Sequence, residues 1–362
     1  MMLRNYRRSL LAISVTLFGM ALWVKGLPVA LADPATETTE IRISYQPAFW
    51  ALPWFIASEK AWWAKVGLKP TLISFAAGAA QIAAGASDAW DVGGAGDIPA
   101  VLGGAKYDLL TVAISDLEPA ILTIMAGSAD AAERYKKDPK LISGKEIPAT
   151  LTSNGERVAI ACLAKMGAPP GSYRLLNLDP ADINAAMLSR RFDLAAVWAP
   201  NTYILSEATG AKVVCRGSET SLKPTGRLFV TPTFAKKNPA AVAQWLALYF
   251  HAIEWERKHP KETLQYLAKF YDSVGVKVPS KNLPDEVKDH PHPTLHEQLK
   301  LFSRGTSGKS EVDGWSNDVA QFLLEKGSIS ALPAASKYIT DQYLNMLTKD
   351  PGLMKFATDG DS

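Results

Sequence analysis

The chain has 362 residues, 48% of them hydrophobic, with 39 Lys and Arg against 36 Asp and Glu. Arg4, Arg7, Arg8 and Lys25 near the N-terminus carry four positive charges, so the formal +3 of the whole becomes about −1 for the rest. That balance excludes a strongly basic surface for nucleic acid or anionic membrane, and a length this far beyond one small core predicts two domains.

Residues 1–32 read as a secretory signal peptide. Arg4, Arg7 and Arg8 form a basic start, Leu10 to Val24 is an apolar run short for a membrane span, and Ala30-Leu31-Ala32 before Asp33 is a small-x-small cleavage site. Arg7-Arg8 followed by Ser9-Leu10-Leu11 matches a twin-arginine signal only in part, so Sec export is the expectation. Cys162 and Cys215 are the only cysteines, and neither lies at the cleavage point, which excludes a lipid-anchored cysteine there. Two buried free thiols are expected over a disulfide, since sequence cannot test Cα separation.

Beyond the leader, short β-rich runs alternate with helical patterns, the signature of an α/β fold. Strands are predicted at Ile41–Tyr45, Leu68–Phe75, Ala89–Gly93 and Leu109–Ile114. Helices are predicted at Pro53–Lys65, ended by Gly67, at Ala79–Ala84, and from Pro99. A second set has strands at Ile121–Met125, after Gly144-Lys145, at Arg174–Leu178, Phe192–Trp198 and Lys212–Cys215. Its helices are Gly155–Met166, ended by Gly167, and one opened by Asp179-Pro180. After Phe229 the pattern turns helical. Asn238-Pro239 starts a long helix whose Val242, Trp245, Leu246, Tyr249, Phe250 and Ile253 are spaced as one buried face. Pro279–Pro293 reads as a surface connection, and helices near Leu295–Phe302, Val319–Glu325 and Thr340–Leu347 close the chain.

Residues 75–99 carry two glycine-bearing turns, each opening a helix. The first four N–H groups of a helix have no internal partner, so such turns present bare donors to a ligand. Gly94 and Gly96 have the first spacing of a dinucleotide fingerprint, but Pro99 stands at its third glycine position, which removes that reading.

Several segments in order carry a resemblance. They are Ala77-Gly78, Gln81, Gly85, Asp88, Asp91, Gly96 and Pro99; Gly144-Lys145 with Thr152-Ser153-Asn154; Leu178-Asp179-Pro180-Ala181-Asp182 with Phe192-Asp193-Leu194-Ala195-Ala196-Val197-Trp198-Ala199-Pro200; and Phe234 to Pro239. Over about residues 40–255 the chain resembles the substrate-binding proteins of ABC importers for nitrate, sulfonates, taurine and thiamine precursors. The resemblance implies a bilobal α/β fold of the periplasmic-binding-protein type II kind, two lobes joined by two crossover strands. Residues 33–118 and 228–362 would form one lobe and 119–227 the other. It implies a periplasmic monomer that captures a small molecule by hinge closure and delivers it to an ABC permease with its ATPase. No catalytic residue, cofactor, metal or nucleic acid is expected.

Candidate ligand-binding residues follow from strand ends and helix starts. Tyr45 and Gln46 follow the first strand. Ala77, Gly78, Gly96 and Asp97 open helices, although Asp97 is equally a helix cap. Ser115 and Asp116 end the fourth strand at the first crossover, where Asp116 is also an ordinary turn-former. Thr152, Ser153 and Asn154 put three short polar side chains at one helix start. Trp198 ends a strand, and the resemblance implies it as a pocket wall; Arg227, near the second crossover, is expected as the one basic partner for an anion. For Trp50 and Trp54, packing of the first helix is favoured over lining the pocket. His290, His292 and His296 offer three imidazoles, but in a proline-rich stretch that reads as a solvated loop away from the cleft.

The ligand signals oppose each other. Helix starts and Thr152-Ser153-Asn154 favour an anion such as a sulfonate or nitrate, whereas Asp97, Asp116 and Glu118 favour an amino group or ring N–H. A zwitterion or a neutral aromatic heterocycle satisfies both. An exported enzyme on the same fold and a sensory binding protein feeding a membrane kinase are the rival functions. The first lacks a nucleophile elbow, a phosphate loop and a Cys–His pair.

Overall fold

The computed structural model describes residues 38–169 and 171–361, which form one compact unit. The expected signal peptide and its cleavage site lie outside the described residues. Ten strands occur among those described: β1 Thr39–Tyr45, β2 Leu68–Ser74, β3 Val92–Gly96, β4 Leu110–Leu117, β5 Leu122–Ala126, β6 Glu146–Ala149, β7 Arg174–Asn177, β8 Leu194–Trp198, β9 Lys212–Arg216 and β10 Thr225–Val230. They form a five-stranded sheet in the order β2-β1-β3-β10-β4, a three-stranded sheet β8-β5-β9 and a pair β6-β7.

In the large sheet β1 runs parallel to β2 and β3, while β10 is antiparallel to both β3 and β4. β10 is wholly buried and was not foreseen, because Gly226 and Arg227 interrupt its apolar pattern. The glycine is a structural necessity there. Between Thr225 and Arg227 the pairing with β4 shifts at a bulge. A Cβ at Gly226 would lie 2.0 Å from Asp116 Oδ1 and 2.1 Å from Ser115 Oγ.

Glycine also misdirects the reading of β3, which runs three residues later than expected. Gly94 and Gly96 look like a turn, yet with Gly93 they form the strand, because neighbours press on it. A Cβ at Gly93 would meet Ser44 Oγ at 2.0 Å, and one at Gly94 would meet Trp50 Cζ3 at 2.7 Å. Gln81, fully buried, ties this region together by donating to Gly94 O at 2.8 Å and to Ser44 Oγ at 2.9 Å.

Three further expectations are corrected. The helix predicted over Pro53–Lys65 splits into Leu52–Glu59 and a 3-10 turn at Trp63–Val66, because Ala61 adopts φ 55° and swings Trp62 and Trp63 into the core. Pro279–Pro293 is no surface connection: it contains a helix, Leu283–Asp289, and buries Glu286 and His290. Cys162, on the helix Asn154–Met166, is disulfide-bonded to Cys215 of β9 across a Cα separation of 5.8 Å, within the range such a bridge requires.

Apolar side chains collect in two main bodies. The larger surrounds the five-stranded sheet and the helix Pro239–Lys258, where the Trp54 ring contacts both Trp245 and Tyr249. The second lies between β5, β8 and the helix Asn154–Met166 and contains the disulfide.

Candidate functional site

A pocket opens where the carboxyl ends of β1, β3 and β8 meet the loop after β6. One wall comes from the large sheet: Gln46 after β1, Ala77, Gly78 and Ala79 at the start of the helix Gly78–Gly85, and Gly96 and Pro99 after β3. The opposite wall is Thr150 to Gly155 and Trp198. Glu118, Trp50 and His290 complete it at the crossover.

The helix Gly78–Gly85 starts without a side-chain cap, which leaves the amides of Gly78 and Ala79 to the pocket. Bulk is excluded here for a geometric reason: a Cβ at Gly78 would lie 2.6 Å from Pro99 Cγ. Gln46 holds its own place by donating to Gln81 Oε1 at 2.7 Å.

Across the pocket, the polar triad is used mainly by the protein itself. Ser153 Oγ donates to Thr150 O at 2.6 Å and caps Glu156 N at 3.3 Å. Asn154 Oδ1 accepts from Ile98 N at 3.0 Å, and its Nδ2 donates to Glu118 Oε2 and, at 3.2 Å, to Thr225 O. Thr152 stands at φ 57°, held by a 2.7 Å bond from its N–H to Glu156 Oε2. Lys326, beyond the helix Glu311–Glu325, reaches Glu156 Oε1 at 2.8 Å and so joins the two bodies. Trp198 sits flat over the helix start: a Cβ at Gly155 would be 3.1 Å from Trp198 Cε3.

Five candidate residues lie outside the pocket lining. Tyr45 lines a separate groove with Trp54, Phe55 and Phe270. Asp97, Ser115, Asp116 and Arg227 are buried behind the wall. Asp97 Oδ2 accepts from Thr225 N at 3.2 Å. Ser115 Oγ donates to Asp116 Oδ1 at 2.8 Å. Burial lifts the Asp97 carboxyl above its usual range against the pull of Arg227, and lifts Asp116 to about 7. Burial likewise lowers the Arg227 guanidinium, whose nitrogens make no hydrogen bond among the described residues.

Glu118, Trp50 and His290 line the pocket without having stood among the candidate binding residues. Glu118 had a visible signal, as one of three carboxylates read beside the cleft with Asp97 and Asp116. Burial, then Asp116 and Asp97, hold its carboxyl well above the usual range. Trp50, for which packing is favoured over pocket lining in the sequence, is 3% exposed yet lines the cavity because the glycines of β3 let its ring close. His290 gave no signal, as its prolines suggested solvent. In fact His290 and His292 pack on Phe49, and burial drives their imidazoles down to about 3 and about 4. His292 Nδ1 lies 2.5 Å from Ser115 O, which fixes it as the donor. Among the described residues no group of three or more His, Cys, Asp or Glu is placed to hold a metal ion.

Bare amides, a carboxyl, an imidazole and two indoles converge on one cavity, the kind of lining that holds a small molecule. A putative binding protein of Brucella abortus (strain 2308) is 27% identical over 348 residues, covering 91% of this chain and 98% of its own. The taurine-binding periplasmic protein of Escherichia coli (strain K12) is 27% identical over 282 residues, 75% of this chain and 82% of that one. Among solved structures, the alkanesulfonate-binding protein SsuA of Xanthomonas axonopodis pv. citri, bound to MOPS, superposes with TM-score 0.67 at 21% identity, over 85% of this chain and 99% of that chain. Structural neighbours of this kind have the periplasmic binding protein fold, which the two bodies and the pocket between their strand ends reproduce. Since the NMT1-like family matches residues 34–271, well over half of the sequence, the chain belongs to that family.

Proposed function

We propose that this protein is the periplasmic solute-binding component of an ABC importer, capturing a small polar molecule without altering it. One observation carries the reading: the pocket is built from two opposed walls, one on each hydrophobic body, with Gly78 and Gly96 facing Thr152 and Trp198. A ligand that touches both walls stabilises their approach, so binding and closure are one event. The names of the relatives support transport of sulfonate-like solutes. We take residues 33–118 with 228–362 as one lobe and 119–227 as the other. The protein acts as a monomer after cleavage near Ala32, and docks in its closed form on a membrane permease.

A thermal-shift panel of sulfonates, nitrate, amino-sulfonates, pyrimidines and aromatic acids tests this. A true ligand at 100 times its Kd raises stability by about 2.7 kcal/mol. Trp198→Ala should lower that ligand's affinity at least about tenfold, in line with loss of one buried aromatic contact. An unchanged affinity removes the pocket assignment, and turnover of the hit removes the binding-only reading.

A further inference from the structure

Charge is distributed unevenly around the pocket. Of the described residues that line it, Glu118 is the only carboxylate and His290 the only imidazole, and no lysine or arginine joins them. Glu118 is 6% exposed and is pinned at the crossover, its N–H donating to Pro224 O at 3.0 Å. Its Oε2 accepts from Asn154 Nδ2, whereas Oε1 has no hydrogen-bond donor among the described residues. Behind it stand Asp97 and Asp116, both buried, with one buried guanidinium, Arg227, and a half-buried one, Arg157, whose charge also acts on Asp97. Three carboxyls outnumber these two guanidinium groups, so the cluster gains from an added positive group and loses from an added negative one.

The imidazole acts in the same sense. His290 Nδ1 lies 2.9 Å from Glu286 O, which can only accept, so Nδ1 carries the proton and Nε2 the lone pair. The helix starts at Gly78 and Asn154 favour negative charge, but each supplies only about half an elementary charge that fades within a turn. They suit a polar or anionic tail; they do not balance a carboxylate cluster.

We propose that Glu118 is the specificity-determining residue of this pocket: it selects a small solute bearing an ammonium or ring N–H and rejects a matched solute that is only an anion. The inference rests on the solute-binding reading above and narrows its ligand. A positive group at Oε1 reverses the electrostatic pressure that Asp116 and Asp97 place on Glu118, so the carboxyl releases its proton as the ligand binds.

The test is calorimetric titration of the mature protein with matched pairs: taurine against isethionate and β-alanine against 3-hydroxypropionate. The amine member of a pair should bind at least about tenfold tighter, the range of a hydrogen bond to a charged group. Repeating the titration in buffers of different ionisation enthalpy should show proton release on the wild-type protein. Glu118→Gln, confirmed folded by circular dichroism, should erase both the preference and the proton release. A hydroxyl member that binds the wild type as tightly, or a preference that survives in Glu118→Gln, overturns the role of Glu118 and leaves solute binding standing. Failure of every pair and of the wider solute panel overturns the solute-binding reading itself, and this inference with it.

Discussion

The side-chain oxygen of Asn154 accepts the backbone N–H of Ile98 at 3.0 Å, so the first residue of one helix satisfies the first turn of another from the opposite side of the pocket. The same amide donates to Glu118 and to the carbonyl of Thr225, which ties together both chain segments that cross between the two bodies. A Cβ at Gly96 would lie 2.7 Å from this amide, and glycine there is what allows the approach.

Asn154→Ala should therefore orphan the buried Ile98 N–H and remove the donor to Glu118. The expected cost is about 1–3 kcal/mol, that of leaving a buried polar group unsatisfied. Asn154→Asp should cost more, since it sets a further carboxylate beside Glu118. Urea titration reads both as a lower midpoint at constant slope. A midpoint equal to wild type would refute the bridge.

Gly226→Ala tests the bulge. Its methyl would intrude on Ser115 and Asp116, which are themselves fully buried, so relief requires backbone movement. Overpacking of this kind costs about 1–3 kcal/mol. Thermal melting within a degree of wild type would show that β4 adapts freely there.

The Cys162–Cys215 bridge closes a segment of 53 residues. Loop-closure entropy for that length amounts to about 4 kcal/mol of stabilisation. The double variant Cys162→Ser/Cys215→Ser should lose much of it in denaturant titration, and added reductant should mimic the variant. Two titratable thiols in the untreated protein would contradict the bridge.

Stability should fall as pH rises above 6.5. Burial raises Asp116 to about 7 and Glu286 to about 8, the latter opposed by the bond from Tyr271. The folded protein then holds protons that the unfolded chain has already lost, and each such proton makes stability decline by about 1.4 kcal/mol per pH unit. The buried histidines act with the opposite sign: depressed to about 3 and about 4, they make stability rise with pH only below about 6.5, where the unfolded imidazole charges. Glu286→Gln should flatten the decline between pH 6.5 and 8.5. A melting temperature that climbs through that interval would refute the assignment.

Local signals carried much of this architecture. The helix Leu295–Phe302 begins and ends where its pattern says, and Gly167, at φ 86°, stops its helix as a left-handed cap. Gly78, Gly96 and Trp198 were legible at the pocket because glycine at a helix start and an indole at a strand end mark close approach. What sequence concealed depends on distant neighbours. Gly94 looks like part of a turn until Trp50 is seen against it, and His290 looks solvated until Phe49 and the helix Leu283–Asp289 enclose it. Arg227 seemed available to an anion, but its strand is central and both faces are covered.

The place of β10 has a consequence for how the molecule is made. β3 and β4 are consecutive in the chain, yet the strand that joins them in the sheet arrives much later, pairing Gly226 with Gly96 across 130 positions. Bringing such remote segments together costs closure entropy before any pairing is gained, which slows folding. A chain emerging from its N-terminus presents β1 to β4 first and cannot complete their sheet until residue 230 has followed. Until then the large core has a gap at its centre. The last strand of the sheet thus acts as a clasp, fastened only when the better part of the chain is already present.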